Sequence, residues 1–210
     1  MRRPEFIARQ SRHPSGMLGW IIGNIMSHET AALNDTVLAA LELQPTDRVL
    51  EVGFGHGRTI ERAAGIVTDG LVAGVDVSET MTRMAARRCR RFIEQGRVRL
   101  EVGDSSRLPF PDQHFDKAYA VHTIYFWAHP VAHLREIRRA MKPGGRLAIG
   151  LRPKGATSGA EDFPDSVYTL YHTGAVCELL VDSGFATPNV VDGRGGLEGF
   201  DVVIAEKVQG

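Results

Sequence analysis

Alternation between two hydrophobic periods constrains the fold of this chain more than any other feature of its sequence. Short apolar runs rich in valine and leucine are typical of buried strands, and they alternate with longer segments that have the apolar spacing of helices. The strands are predicted over residues 49–52, 71–75, 98–102, 115–121, 147–151, 185–191 and 200–206, and the helices over 29–43, 58–66, 78–94, 130–141 and 166–183. Repeated strand–helix units predict an α/β fold, with a seven-stranded, mostly parallel sheet and helices on both faces.

The length of 210 residues fits a single α/β domain with a short addition. We predict an N-terminal extension over residues 1–28 and one domain over residues 29–210. The longest apolar stretch, residues 17–26, is too short to cross a bilayer, so no membrane partner is expected. The two cysteines, Cys89 and Cys177, have no partner at zinc-site spacing and are expected to be reduced thiols of a cytoplasmic protein.

The charge balance argues against nucleic acid as a substrate or partner. Lys+Arg and Asp+Glu both number 25, so the formal net charge is zero and nothing general attracts the chain to a phosphate backbone. Arginines crowd residues 83–91, where a helix is predicted, and a solvated helix face is their simplest explanation. The sequence leaves a homodimer open.

The first predicted strand runs into a glycine-rich loop, Glu51-Val52-Gly53-Phe54-Gly55-His56-Gly57. Glycines at this point allow a tight turn into the next helix and let a ligand touch the backbone. The dinucleotide fingerprint G-x-G-x-x-G would place its third glycine at position 58, which is Arg58 here. The loop therefore weighs against a nucleotide-dependent oxidoreductase, which stays open as a second hypothesis.

Two acidic residues follow the next two predicted strands, at the same edge of the sheet. Asp76 follows the second strand, and its carboxylate can accept hydrogen bonds from both hydroxyls of a ribose. Asp104 follows the third strand, where a carboxylate can accept from the exocyclic amine of adenine. Ser78 is the better cap for the following helix, which leaves Asp76 for a ligand. Because ligands bind beyond the carboxyl ends of parallel strands, these loops together predict a nucleoside site.

These loops resemble the motifs of class I S-adenosylmethionine (SAM)-dependent methyltransferases. Residues 49–57 resemble the first motif of this family. Asp76 resembles its ribose-binding acid, and residues 103–104 resemble its adenine motif. Residues 108–116 and 136–145 look like the LPF(P)D..FD segment and the helix with the KPGG turn of the ubiquinone/menaquinone-biosynthesis-like (methyltransferase type 11) branch. The resemblance covers about residues 30–150 and implies a Rossmann-like methyltransferase fold that binds SAM and yields S-adenosylhomocysteine.

The resemblance also implies which residues surround the cofactor. The implied cofactor-binding residues are Glu51, Gly53, Phe54, Gly55, Gly57, Asp76, Val77, Asp104, Ser105, Val121 and His122. Glu51 is expected to act on the ammonium group of SAM, through water or a backbone turn. Residues 15–30 are the candidate lid, because the family commonly uses its N-terminal segment in this way. At the position of His122, many relatives carry asparagine or serine instead.

Catalysis requires alignment of the acceptor with the methyl group, and a hydroxyl acceptor also requires a base. His122 and His129 lie beyond the fourth predicted strand, where the acceptor is expected, and His122 is the first choice because it directly follows the strand. The aromatic residues 125–127, together with Trp20, can wall an acceptor pocket. The expected reaction is O-methylation of a small molecule such as a sugar, a phenol or a polyketide-like metabolite.

Other roles for the histidines stay open. His122 can also bond to the backbone or pack on the cofactor, and His129 can simply begin a helix. His129 and His133 lie four positions apart and could bind a metal, but no nearby acid completes the set, so no metal is expected. His28 and His56 could face the acceptor instead. The functional alternatives are N- or C-methylation of a small metabolite and a non-catalytic SAM-binding protein.

Overall fold

The computed structural model describes residues 31–156, 164, 166–192 and 199–208. The predicted extension over residues 1–28 and the candidate lid, with Trp20 and His28, lie outside these described residues. Within the described ranges, no helix combines the length and the apolar character needed to reach across a membrane.

One sheet of seven strands forms the centre of the described part of the chain. The strands are β1 (Arg48–Val52), β2 (Leu71–Asp76), β3 (Val98–Val102), β4 (Phe115–Val121), β5 (Met141–Leu151), β6 (Asn189–Asp192) and β7 (Asp201–Glu206). They lie in the order β3-β2-β1-β4-β5-β7-β6. The first five strands pair in parallel, whereas β7 runs antiparallel to both β5 and β6. The predicted seven-stranded, mostly parallel sheet is therefore confirmed.

Helices cover both faces of this sheet, because alternate residues of each strand point to opposite sides. The helices are α1 (Ala31–Leu41), α2 (Arg58–Ile66), α3 (Glu79–Arg88), α4 (Arg90–Glu94), α5 (Pro130–Ala140) and α6 (Thr173–Asp182), and Ile124–Phe126 form a 3-10 turn. On one face Leu50 belongs to a core that includes buried residues of α5 and α6. On the other face Val49 belongs to a core that includes residues of α1, α2 and α3. The predicted two-faced arrangement is confirmed.

The predicted helix over residues 166–183 is wrong in its first third, since α6 begins only at Thr173. The residues before it are bound to the rest of the fold instead. The amide of Thr169 donates to the carbonyl of Tyr125 at 3.0 Å, and the side chain of Tyr168 is buried in the core. An amide that donates to a distant carbonyl cannot also form the hydrogen bond of a regular helix. The burial of Tyr168 could not be read from the hydrophobic period of the sequence.

Three other element boundaries also differ from the predictions. The helix over residues 78–94 divides at Cys89 into α3 and α4, β5 begins already at Met141, and β6 begins only at Asn189. The early start of β5 arises because Met141 pairs with Phe115 across an irregular register that precedes the regular ladder. These differences change the ends of elements and leave their order intact.

Charged residues of α5 hold the connection between β3 and β4. Glu136 accepts the amide of Leu108 at 2.8 Å and also accepts from Arg139 at 2.8 Å. Arg139 in turn donates to the carbonyl of Phe110 at 2.9 Å and to the carboxylate of Asp112. The segment that resembles LPF(P)D..FD is thus tied to the helix before the KPGG turn, and both have a structural role in this chain.

The packing between β2 and the glycine loop leads to a stability prediction at Gly74. A Cβ atom there would lie 2.5 Å from Cδ1 of Phe54 and 3.0 Å from Cδ1 of Ile60. We expect Gly74→Ala to lower the free energy of unfolding by about 1–3 kcal/mol, because both buried side chains would have to move. Urea unfolding followed by circular dichroism measures the change.

Gly65→Ala is the matched control, because in the described part of the chain no atom outside its own helix backbone and chain neighbours lies within 4 Å of the position where its Cβ would be built. Alanine in this helix should leave stability unchanged or raise it slightly, through the lower entropy of the unfolded chain. Equal unfolding free energies for Gly74→Ala and the parent would contradict the tight packing described here.

Candidate functional site

The glycine loop after β1 packs closely against the neighbouring strand ends. Gly53 donates its amide to the carbonyl of Val75 at 2.8 Å, and a Cβ atom at Gly53 would lie 2.6 Å from Oγ1 of Thr123. Gly55 has a φ of +53°, in the left-handed region that favours glycine. No atom of the described residues beyond its chain neighbours lies within 4 Å of its missing Cβ. The loop is therefore held firmly, while the backbone at Gly55 stays open to a ligand.

Asp76 connects this loop to the end of β2. One oxygen of its carboxylate accepts the amide of Gly55 at 2.8 Å, and the other accepts the amide of Ser78 at 2.8 Å. Ser78 caps α3 by accepting the amide of Met81 at 3.2 Å, as predicted. A carboxylate can accept about four hydrogen bonds. Asp76 can thus shape the loop and still accept from a ligand.

The loop after β3 carries a second acid in front of a buried histidine. Asp104 accepts the amide of Ser106 at 2.7 Å and lies 3.7 Å from Nδ1 of His133. Partial burial opposes its ionisation, but the hydrogen bonds from Ser106 and the nearby imidazole outweigh this effect and lower the pKa of Asp104. Ser105 contacts the same Nδ1 of His133 at 2.8 Å, and the imidazole stacks on Trp127. An ionised, outward carboxylate is therefore backed by a fixed polar cluster.

Glu51 is a carboxylic acid buried in the sheet beneath the glycine loop. Its Oε2 atom accepts the hydroxyl of Tyr119 at 2.8 Å, and both side chains are buried. Burial raises the pKa of Glu51 to about 8, the Tyr119 hydrogen bond acts in the opposite direction, and the charge of Asp76 adds to the rise. The group is therefore largely protonated at neutral pH in the protein without a ligand, and a nearby cation would favour its ionised form.

Two of the predicted site residues are used by the core through their side chains. Phe54 is buried against Gly74 and Ile60, so it can meet a ligand only through its backbone. Gly57 is the N-cap residue directly before α2, and a Cβ atom there would lie 2.6 Å from the Cβ atom of Ala85. Val77, in contrast, is 41% exposed beside Asp76. The glycine at position 57 serves helix packing, while positions 55 and 77 face outward.

His122 follows Val121 at the end of β4 in an unusual conformation. Its φ is +56°, which is uncommon for a residue with a side chain and marks a constrained position. Its Nδ1 atom lies 3.2 Å from the hydroxyl oxygen of Tyr125, and its ring contacts Phe200 edge-on at 5.4 Å. The buried Nε2 atom has no hydrogen-bond partner among the described residues. Burial and the charge of Arg152 lower the pKa of His122 to about 4, so the ring is neutral at physiological pH.

His129 lies in a different environment from His122. It is exposed at the N-cap position, directly before α5, and its side chain makes no capping hydrogen bond there. The two histidines act near different groups. The pKa of His133 is lowered by burial and by the charge of His129. The pKa of His122 is lowered by burial and by the charge of Arg152. The described residues contain no group of three or more histidine, cysteine or acidic side chains arranged to bind a metal ion. The two candidate bases therefore do not form one cluster.

Sequence reasoning missed two partners of the site residues. Tyr119 meets Glu51 because the two are register partners in the parallel pair of β4 and β1, and register is not readable from either strand alone. Arg152 lies next to His122 because β4 and β5 pair in parallel and end at the same edge. A signal for Arg152 was available, since it is the first residue after a predicted strand.

Comparisons with known proteins converge on one family. A family model described as a methyltransferase domain matches residues 50–149. The chain is 35% identical over 141 residues to the uncharacterized methyltransferase YdaC of Bacillus subtilis, covering 67% of this chain and 76% of YdaC. It is 32% identical over 125 residues to 27-O-demethylrifamycin SV methyltransferase of Amycolatopsis mediterranei, covering 60% of this chain and 46% of that relative.

A solved structure supports the same fold. A SAM-dependent methyltransferase from Aquifex aeolicus matches with a TM-score of 0.74 and 23% identity, covering 89% of this chain and 97% of that protein. The residues matched by the family model run from β1 to β5. They include the glycine loop, Asp76, Asp104 and His122.

The buried acid leads to a prediction about stability and pH. Because the pKa of Glu51 is about 8 in the folded chain against an ordinary 4.5, the folded state binds more protons between these values. Unfolding free energy should therefore fall as pH rises from 5 to 8, by at most about 1.4 kcal/mol per pH unit from this group. In Glu51→Gln this contribution is absent, although the amide oxygen can still accept from Tyr119.

Urea unfolding of the parent and of Glu51→Gln at several pH values between 5 and 8 tests this prediction. The difference between the two unfolding free energies should move steadily in favour of the variant as pH rises. A difference that stays constant over this range would mean that Glu51 is already ionised in the folded protein.

Proposed function

The chain belongs to the class I SAM-dependent methyltransferases, and we propose that it transfers the methyl group of SAM to an acidic hydroxyl of a small-molecule acceptor. The observation that carries the choice of a hydroxyl is the buried Nε2 atom of His122, which has no partner among the described residues and lies at the end of β4. A hydroxyl must lose a proton when it is methylated, and a neutral imidazole is suited to accept it.

The residues around the glycine loop fit SAM as the bound cofactor. Asp76 supplies carboxylate oxygens for the ribose hydroxyls, Asp104 supplies an acceptor for the adenine amine, and the open backbone at Gly55 admits the ligand between them. Glu51 lies beneath the loop as an acid whose ionisation a cation would favour, which suits the ammonium end. When bound, SAM supplies a methyl group activated by its positively charged sulfur.

The end of β4 is the proposed acceptor side, because it adjoins the glycine loop. Thr123 donates its hydroxyl to the carbonyl of Val52 at 3.1 Å and fills the space that a side chain at Gly53 would need. His122 is the residue directly before it. Aromatic rings of Tyr125 and Phe200 lie against the imidazole, with ring centroids 5.9 Å and 5.4 Å away. In this setting, the chain's task is to orient the acceptor oxygen and to accept its proton.

The low pKa of His122 restricts the proposed acceptor to molecules whose hydroxyl group is acidic. An imidazole with a pKa of about 4 is a weak base, so it is poorly matched to a sugar hydroxyl and better matched to a phenol or an enol. Arg152, whose positive charge lowers that pKa, also favours a negatively charged acceptor oxygen. A relative from Pyrenophora dematioidea, 31% identical over 169 residues, is named an O-methyltransferase, which supports the choice of oxygen.

Carbon methylation is the second candidate. A relative from Ectopseudomonas mendocina, 36% identical over 112 residues, is named a ubiquinone/menaquinone biosynthesis C-methyltransferase, which supports it. A carbon acceptor next to a phenolic oxygen would use the same proton acceptance by His122. Incubation of a cell extract with the enzyme and methyl-labelled SAM, followed by mass spectrometry, identifies the acceptor. Label on a nitrogen of the product would overturn the proposal.

The adenine assignment predicts the effect of Asp104→Asn. The asparagine oxygen can keep the hydrogen bond from Ser106, but its amide hydrogens then face the adenine amine. We expect SAM binding to weaken by about 1–3 kcal/mol, the range for a hydrogen bond to a charged group. Isothermal calorimetry measures the affinity, and thermal unfolding without ligand should change little.

Asp69→Asn is the control for this experiment, since it makes the same exchange at an exposed acid before β2, at the opposite end of that strand. Its SAM affinity should equal that of the parent. Parent-like affinity in Asp104→Asn would remove Asp104 from the adenine site.

The base assignment predicts that His122→Asn lowers turnover of the identified acceptor by roughly a hundredfold to ten-thousandfold, with little change in SAM affinity. Asparagine is chosen because it tolerates the positive φ of this position. His129→Ala should keep near-parent turnover. Parent turnover should stay level between pH 7 and pH 5, because a pKa of about 4 keeps the imidazole neutral there. Full turnover in His122→Asn would show that proton removal occurs elsewhere.

A further inference from the structure

We propose that the hydroxyl of Tyr125 is a positioning group that holds His122 in the tautomer with hydrogen on Nδ1, leaving the Nε2 atom as a hydrogen-bond acceptor. The use of that Nε2 atom by the methyl acceptor rests on the proposed function. The tautomer itself rests only on the hydrogen bonds around the two side chains. Tyr125 would thus act through His122 and need not touch the acceptor.

The hydroxyl oxygen of Tyr125 is fixed by the backbone of Arg152. The amide of Arg152 donates to this oxygen, and the hydroxyl lies 3.3 Å from the carbonyl oxygen of the same residue. The third group near this hydroxyl oxygen is Nδ1 of His122, at 3.2 Å. One hydroxyl has one hydrogen and two lone pairs. The hydrogen must therefore go either to the Arg152 carbonyl or to the imidazole.

Counting the buried polar groups decides between these two arrangements. If the hydroxyl donates to the Arg152 carbonyl, Nδ1–H of His122 donates to Tyr125, and the Nε2 lone pair is left without a partner among the described residues. If the hydroxyl donates to Nδ1, the hydrogen moves to Nε2, which becomes a buried N–H without a partner, and the carbonyl loses its bond to Tyr125. Buried N–H groups without a partner are rarer and costlier than under-used acceptors. The first arrangement is therefore favoured.

Both side chains are held in place, so this preference can persist when a ligand binds. The amide of His122 donates to the carbonyl of Gly150 at 2.9 Å, which anchors its strained backbone to β5. The carbonyl of Tyr125 accepts the amide of Thr169 at 3.0 Å, and its ring packs against Tyr168. Burial raises the pKa of Tyr125 well above its usual range, which keeps its hydroxyl protonated and able to donate.

The direct test is a long-range ¹H–¹⁵N NMR spectrum of the full chain at pH 7, in which the two ring nitrogens of His122 are assigned by comparison with His122→Asn. The expected result is a protonated, pyrrole-type Nδ1 and an unprotonated, pyridine-type Nε2. A protonated Nε2 in the parent would overturn the proposal. This measurement needs no substrate and no Tyr125 variant.

Tyr125→Phe tests whether the hydroxyl sets the tautomer. The expected spectrum shows the two nitrogens of His122 averaged toward a mixture of tautomers, or the hydrogen moved to Nε2. Tyr168→Phe is the matched control, because it removes a hydroxyl from the ring that packs beside Tyr125, with ring centroids 6.2 Å apart. It should leave the His122 signals at their parent positions. A tautomer unchanged in Tyr125→Phe would overturn the role of the hydroxyl.

Kinetics separates this proposal from the proposed function. Tyr125→Phe should lower turnover by about 10- to 100-fold, the range found when a group that orients a metal-bound histidine is lost, with SAM affinity unchanged. If His122→Asn keeps full turnover, the base assignment fails while the NMR result for the tautomer still stands. If His122→Asn is slow but Tyr125→Phe turns over like the parent, the positioning role fails while the base assignment stands.

Discussion

The parallel pairing of β1 with β2 on one side and with β4 on the other is the constraint on which the site depends. It brings the carboxyl ends of three strands to one edge at the point where the strand order reverses. Gly53 can then bond to Val75 and pack on Thr123, and Glu51 can meet Tyr119. Without this pairing, none of the loop contacts would exist.

Several site residues have a structural and a ligand-directed task at once. Asp76 shapes the glycine loop through Gly55, and we propose that it also accepts from a ribose. Glu51 is buried at a cost to stability near neutral pH, because an acid with a pKa of about 8 is held where an apolar side chain would be stable. Such costs are typical of binding sites, where groups are arranged for the ligand and not for the empty protein.

The residues that identify the family and the residues that would choose the acceptor lie in different parts of the chain. Glu136 and Arg139 brace the connection between β3 and β4 and contribute to the architecture. The environment of His122, in contrast, is built by Tyr125, Phe200 and Arg152 from three separate segments. A family resemblance can therefore be strong while the acceptor stays undetermined by it.

The sequence by itself determined the fold class, the parallel core of the sheet and the loops that we propose for a nucleotide-like ligand, because hydrophobic period, glycines and acids are local signals. It did not determine the late start of α6 or the partners of Glu51 and His122. Those depend on strand register and on burial, which arise only when distant segments pack. The neutral state of His122 was likewise decided by the tertiary structure, since desolvation and the nearby Arg152 charge set it.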